Sequence, residues 1–506
     1  MGNGGVVPLV ENNFHGIVGF VKFTSNWYLI LIKAKVAVAL IGGRHVYHCE
    51  ATELRPLNKD TIVKSAEEAR RMKEFLSVDM GKNFYFSYSY DITNTLQRNL
   101  TDSPPPPIND KWVWNAHLLR PAFGDISQHL KFKKSDWCLP MIHGFVDQAK
   151  ISVYGYNVYM TLIARRSRHF AGARFHKRGV NSEGYVANDV ETEQIVSEAT
   201  TLFFDAPADL DVQQTATCPK RFPEKRKLLG KYTSFIQIRG SIPLFWSQEG
   251  NLAVPKPPIE MTFTDPFYTA AAKHFNDLFR RYGAPVHVIN LIKQYESSPR
   301  ESKLGPEFKQ CIDYLNQFLP DEKKITYTAW DMSRATKKST FKQSGSIGIP
   351  GPTRDLMGVL DDIAEESMEL TGFFHSGPAA ETNIPCEVPL RTTPMLQRGV
   401  ARTNCIDCLD RTNAAQFVLG KVAFGHQLQA LGIISDPRLA FDSKAVNLIT
   451  EVYHDHGDTL ALQYGGSHLV NTMNTYRDLK QWRSHSRDMI ENIKRYYSNS
   501  FTPINR

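Results

Sequence analysis

Cys405 is followed by Ile406, Asp407, Cys408, Leu409 and Asp410, and then by Arg411 and Thr412. A cysteine with an arginine six positions later supplies a sulfur nucleophile and a planar cation that matches phosphoryl oxygens. A free thiol is only about 3% ionised at pH 7. A helix N-terminus or nearby arginines can bring a thiol pKa to roughly 3.5–7.5. On this reading Cys405 attacks phosphorus and forms a phosphocysteine, while Arg411 holds two oxygens and stabilises transition-state charge. Asn404, Ile406, Cys408 and Leu409 line the same anion site through the loop backbone. The leaving oxygen needs a proton, for which Asp407 and Asp410 are the candidates. Asp410 ranks second, because Arg411 beside it would hold it ionised. The Thr412 hydroxyl would help expel the thiolate when water hydrolyses the intermediate.

Such a group works only if the chain converges on it. Residues 399–402 could end a strand, and residues 414–424 have helical composition without proline, with Thr412 or Asn413 as N-cap. A strand, a tight loop and a helix N-terminus would point several backbone N–H groups at one anion. The rival readings of Cys405 and Cys408 are half a zinc site or a redox pair. No second well-spaced Cys/His pair accompanies them, and the acidic spacer raises a thiol pKa.

The whole string from Arg402 to Asn413 resembles the catalytic motif of the Sac-domain phosphoinositide phosphatases, Arg-x-Asn-Cys-x-Asp-Cys-Leu-Asp-Arg-Thr-Asn, at every specified position. The resemblance implies removal of phosphate from the inositol ring of a membrane lipid. Residues 186–194 are similar to a family block beside the active site. Within it Asn188, Glu191 and Glu193 would support the site, the carboxylates orienting arginines or a water. The basic run Arg165, Arg166, Arg174 and Lys177 would then bind substrate, although a solvated basic face is the alternative. Arg239, in a further family-like block at residues 233–246, either faces substrate or pairs with a carboxylate.

His456 and Asp458 belong to residues 454–459, read as a hydrogen-bonded loop supporting the site, with metal binding as the rival. Together with residues 463–467 and Asp189 they resemble the Fig-four-type branch. That likeness implies a phosphatidylinositol 3,5-bisphosphate 5-phosphatase, peripheral on endosomal and vacuolar membranes. It also implies partnership with a scaffold protein and a phosphoinositide kinase, and a mainly scaffolding role is the alternative function. A phosphoprotein phosphatase is the other rival. The chemistry requires no metal or redox cofactor, while the branch leaves room for magnesium. No nucleic-acid partner is implied.

The chain has 506 residues, 42% hydrophobic and 22% charged, as expected of an ordinary globular protein. Its net charge of +8 suits an anionic substrate or membrane surface. Seven cysteines without regular spacing argue for a reducing, cytosolic compartment. The best candidate for a membrane span, residues 27–43, carries Lys33 and Lys35 and reads better as two strands. The expected fold is α/β. An α+β N-terminal subdomain with an antiparallel sheet occupies residues 1–155. An α/β catalytic domain with a mixed sheet, a cysteine-phosphatase loop and a C-terminal basic helix (475–497) occupies residues 156–506. Family members usually have strands before residues 16–19 and a longer C-terminal region, so both ends are expected to be short. Exposed loops are expected at the polyproline run 103–107, the basic cluster 220–227 and the Gly/Pro-rich stretch 344–352.

Overall fold

The computed structural model describes residues 14–57, 65–102, 107–124, 137–199, 232–248, 257–335, 356–377 and 394–470. The basic cluster 220–227, the stretch 344–352, the helix expected at 475–497 and residues 103–106 of the polyproline run lie outside them.

The chain opens as an antiparallel meander of β1 (Ile17–Lys22), β2 (Trp27–Ile41) and β3 (Arg44–Pro56). The two strands expected within 27–41 are one, because bulges near Ala34 and Ala37 absorb the break in alternation without ending the ladder. Lys35 lies over the Tyr47 ring at 3.9 Å, so the lysines that interrupt the apolar run are accommodated on a sheet face. Among the described residues no helix is long and apolar enough to cross a membrane. Helix α1 (Ala66–Leu76) starts where its sequence signals: the Ser65 hydroxyl accepts the Glu68 N–H at 3.0 Å. β4 (Phe84–Phe86) is followed by α2 (Leu96–Thr101) and α3 (Ala116–Phe123).

β4 hands the sheet on to β5 (Ile142–Val153), which forms a hairpin with β6 (Tyr156–Arg166). The boundary expected after residue 155 falls in the turn of this hairpin, and the sheet runs through it. β7 (Val190–Glu198) and β8 (Tyr232–Arg239) continue the antiparallel order. A short ribbon, β9 (Trp246–Ser247) with β10 (Glu260–Met261), stands apart. Beyond β8 the sheet becomes parallel, in the spatial order β8, then β14 (Val400–Asn404), β11 (Val286–Asn290) and β12 (Thr326–Ala329). With β13 (Phe374–His375) added at β8, this is one mixed 12-stranded sheet.

Helices α4 (Thr269–Tyr282) and α5 (Leu304–Asn316) share one apolar cluster with Ile236, Val288 and Val400. Helices α6 (Leu356–Thr371), α7 (Asp410–Ala430) and α8 (Lys444–Gly465) supply the other, with Phe235, Ile289 and Ala401. Adjacent residues of one strand thus enter opposite cores, as a sheet covered on both faces requires. β8, β14, β11 and β12 all end at the same edge. That carboxyl edge is where an open sheet presents its ligand crevice.

Candidate active site

β14 ends at Asn404, residues 405–409 form the loop, and α7 begins at Asp410. The helix therefore starts two or three residues before the expected cap. Leu409 holds the N-cap position and makes no side-chain cap bond. Thr412 and Asn413 lie in the first turn instead, which corrects their assignment as caps. The first N–H groups of α7 are thus left without the usual side-chain oxygen, and an anion is the natural complement. Cys408 adopts a left-handed φ of +54°, uncommon for a residue with a Cβ, and this lets the loop turn into the helix. Asn188, itself at φ +50°, donates Nδ2 to the carbonyls of Asp407 at 3.1 Å and Cys408 at 3.5 Å. Cys408 directs Sγ–H to the Cys405 carbonyl at 3.5 Å, and burial pushes its thiol up to about 12. Both cysteines are buried, but they are placed differently: the Cys408 thiol is bonded back to its own loop, and Cys405 follows directly on the end of β14.

Three arginines meet the loop. Arg178 donates Nη1 to the Ile406 carbonyl at 2.9 Å, and its Nη2 lies 2.7 Å from both Asp407 Oδ1 and Gln248 Oε1. Arg174 Nη2 reaches Asp407 Oδ2 at 2.5 Å. Burial raises the Asp407 carboxyl, but these two guanidiniums outweigh it and hold the group well below the usual carboxylate range. Asp407 is therefore an ionised carboxylate here and carries no proton to donate, contrary to its first ranking as acid. Asp410 Oδ1 accepts the Val470 N–H at 2.7 Å. Arg411 does not take Asp410 as its ion-pair partner. Its Nη1 lies 2.5 Å from Glu301 Oε1 and donates to the Leu291 carbonyl at 2.7 Å. Burial works against the Arg411 charge, yet Glu301 and Cys405 more than offset it and hold the group above its ordinary range. The Thr412 hydroxyl is buried and, among the described residues, has no hydrogen-bond partner.

Two further guanidiniums lie beneath the loop. Arg402 donates Nη1 to Asn404 Oδ1 at 3.1 Å, Nε to His274 Nε2 at 3.1 Å and Nη2 to the Ser241 carbonyl at 2.5 Å. Asn404 passes the contact on to Asn290 Oδ1 at 2.7 Å. Arg239 donates Nε to Gln416 Oε1 at 2.8 Å, Nη2 to Asn413 Oδ1 at 3.1 Å and Nη1 to the Cys408 carbonyl at 3.4 Å. Both are fully buried and, among the described residues, neither forms an ion pair. Burial pulls each down to about 10, so both remain cations at neutral pH. Arg239 thus neither faces substrate nor pairs with a carboxylate. It braces the loop from below and adds positive potential to an anion site.

The SacI homology domain matches residues 15–337 of the chain. The polyphosphoinositide phosphatase of Schizosaccharomyces pombe is 46% identical over 493 residues, 97% of this chain and 54% of that protein. The phosphatidylinositol-3-phosphatase SAC1 of Arabidopsis thaliana is 34% identical over 548 residues, 96% of this chain and 55% of that protein. The chain belongs to the SacI homology domain family. It spans about half the length of these relatives.

Seen within a Sac domain, the remaining expected residues divide into two groups. Arg174 and Lys177 stand beside the loop, held by the end of α8: Tyr464 Oη donates to the Lys177 carbonyl at 2.7 Å and to the Arg174 carbonyl at 3.3 Å. The Lys177 amine lies 4.9 Å from the centre of the Phe170 ring. Arg165 and Arg166 are not substrate-facing. Arg165 is fully buried between Glu191 and Glu193, 2.7 Å from each, and donates to the carbonyls of Ile92 and Asn94. Its two carboxylates therefore orient an arginine that ties the first part of the sheet to the second. Arg166 is buried and donates to the carbonyls of Gln463 and Gly172.

His456 and Asp458 lie on helix α8 and not in a loop; their glycines mark close packing. A Cβ at Gly457 would stand 2.2 Å from Asn413 Nδ2, so the glycine lets α8 approach the start of α7. His456 Nε2 meets Thr192 Oγ1 at 3.2 Å, and Asp458 accepts from Leu469 N–H at 2.7 Å, holding the chain that returns to the loop at Val470. Among the described residues no cluster of ligand-type side chains could hold a metal ion. Arg178 and Glu301 went unassigned in the sequence. Arg178 belongs to the same basic run as Arg174, whereas nothing near Glu301 signals its role.

Proposed function

We propose that this chain hydrolyses an inositol-ring phosphate of a phosphoinositide, with Cys405 as nucleophile. The observation that carries the proposal is the junction of β14 and α7: Cys405 opens a loop that runs into a helix N-terminus without a side-chain cap, with Arg174 and Arg178 holding the loop at Asp407, Arg411 in the first turn of the helix, and Arg239 and Arg402 beneath. The Cys405 thiolate attacks phosphorus, the S–P bond forms as the P–O ester bond breaks, and the inositol oxygen leaves with a proton. Asp410, at the helix end of the loop, takes the role of donor, since Asp407 is committed to two arginines. Water then attacks phosphorus, passing a proton to the Asp410 carboxylate as the S–P bond breaks. The Thr412 hydroxyl, without a partner among the described residues, is available to the departing thiolate, and inorganic phosphate leaves. The loop amides and the Nε/Nη2 edge of Arg411 hold the phosphoryl oxygens in both steps.

The finer reading is the 5-phosphate of phosphatidylinositol 3,5-bisphosphate. It rests on the likeness of residues 454–467 and Asp189 to the Fig-four-type branch, which also underlies the scaffold, kinase and endosomal or vacuolar associations. The relatives' names pull in different directions. One names polyphosphoinositides, and the other names the 3-phosphate. Phosphate release from a panel of short-chain phosphoinositides decides between them. Preferred release from the 3,5-bisphosphate, with phosphatidylinositol 3-phosphate as product, supports this reading. Preference for 3-phosphate monoesters removes it.

A further inference from the structure

Glu301 sits 6% exposed on a single 3-10 turn, Glu301–Lys303, in the connection from β11 to α5. Carboxylates stitch that connection together. Glu296 Oε2 accepts the N–H groups of Arg300 and Ser302, each at 3.0 Å. Asp331 Oδ2 accepts the Gln294 N–H at 2.9 Å, and Glu301 Oε1 itself accepts the Lys293 N–H at 3.1 Å. The Glu301 carboxylate is thereby fixed before it meets Arg411. It grips one nitrogen only. Nη1 is engaged by Glu301 and the Leu291 carbonyl, and among the described residues no hydrogen bond uses Nε or Nη2 of Arg411. Nε and Nη2 form the side of the fork that meets two oxygens of one phosphate. The fixed contact at Nη1 sets the plane of the guanidinium and leaves the other edge to the substrate.

We propose that Glu301 is the positioning residue for Arg411, orienting its Nε/Nη2 edge toward the phosphoryl group. This rests on the phosphatase reading above. An arginine that serves mainly the transition state loses turnover when misaligned, and a displacement of about 1 Å can cost on the order of 100-fold.

The test is Glu301→Gln, assayed by release of phosphate from a short-chain phosphoinositide. The expected result is kcat lower by about 10- to 100-fold with KM within about threefold, and no further loss when Glu301→Gln is added to Arg411→Lys. The split matters, because a merely structural role would lower the melting temperature and the active fraction without dependence on Arg411. Wild-type kinetics in Glu301→Gln would overturn the proposal. So would a raised kcat, which would make Glu301 a competitor of the phosphate, or the same fold-loss in the Arg411→Lys background. Should Glu301→Gln fail to fold, Glu296→Ala loosens the turn without touching Arg411; a smaller fall in kcat supports the proposal and an unchanged kcat overturns it. If the wild-type chain shows no Cys405-dependent release, the phosphatase reading falls by itself. Binding of inorganic tungstate then decides the positioning role: weakening by Glu301→Gln that vanishes in Arg411→Lys supports it, and equal weakening in both overturns it.

Discussion

Arg178 Nη2 lies 2.7 Å from Asp407 Oδ1, so a cation from the connection between β6 and β7 fixes the charge of the loop beside the nucleophile. The same guanidinium holds the Ile406 carbonyl, so Arg178 grips both a side chain and the backbone of the loop. Replacing it with alanine leaves the buried Asp407 carboxylate to Arg174 alone, and the loss should fall below the roughly 3 kcal/mol of a buried pair broken outright. Urea denaturation of Arg178→Ala is expected to show that loss at neutral pH. The Asp407 carboxyl is depressed in the folded chain, so its ion-pair stabilisation is full well above the unfolded value of about 3.9 and is lost as pH falls below it. The difference between wild type and Arg178→Ala should therefore narrow on acidification.

Arg165 and Lys177 come from one basic stretch and are expected to behave oppositely. Arg165→Ala leaves Glu191 and Glu193 unpaired in the core and should lower stability by about 3–5 kcal/mol, with the KM of the remaining folded enzyme unchanged. Lys177→Ala should leave the melting temperature alone and raise KM several-fold, by removing a cation at the rim. Equal effects on KM would return Arg165 to the substrate side.

Acid should destabilise the chain through histidines before it reaches the carboxylates. Burial holds His143, His274 and His456 well below the ordinary 6.5, and takes His287 to about 4. As pH falls below 6.5 the unfolded chain takes up these protons first. Stability is therefore intact above that pH and declines below it, by about 1.4 kcal/mol per pH unit for each such group. His274 matters most for the site, since its Nε2 accepts from Arg402 and a proton there would oppose the Arg402 and Lys111 cations. His274→Gln should flatten the decline between pH 6.5 and pH 5 measured by denaturant midpoints.

Cys408 is one residue from the turn into α7, yet its thiol is buried and bonded to a carbonyl of its own loop. Cys408→Ala is expected to keep kcat within about tenfold of wild type, the range of a positional disturbance and not of a lost nucleophile. Complete loss in a folded Cys408→Ala, matching Cys405→Ser, would mean that the two thiols act together.

The frame of the site was legible because it is local: residues 399–402 read as the end of a strand, residues 414–424 as a helix, and the motif between them as an anion loop. The start of α7 was not, because cap propensity favours Thr412 or Asn413, whereas the left-handed turn at Cys408 begins the helix earlier. Charges in the basic run were misread for a different reason. Arg165 stands opposite Glu191 in the β6–β7 register, and a partner across a sheet becomes visible only when that register is known. Residues 454–459 read as a loop where α8 runs on to Gly465, since a glycine kept for close packing, such as Gly457, looks the same in sequence as one kept for a turn. Glu301 lies far upstream of Arg411, and only the parallel pairing of β11 with β14 brings them together.

The central claim is a covalent phosphoryl group on Cys405. Rapid acid quench of the enzyme during turnover of a short-chain phosphoinositide, followed by peptide mass measurement, tests it directly. The account predicts a phosphoryl adduct on Cys405 that forms with substrate and is absent from Cys405→Ser, which also releases no phosphate. An adduct on another residue, or undiminished release by Cys405→Ser, would contradict it.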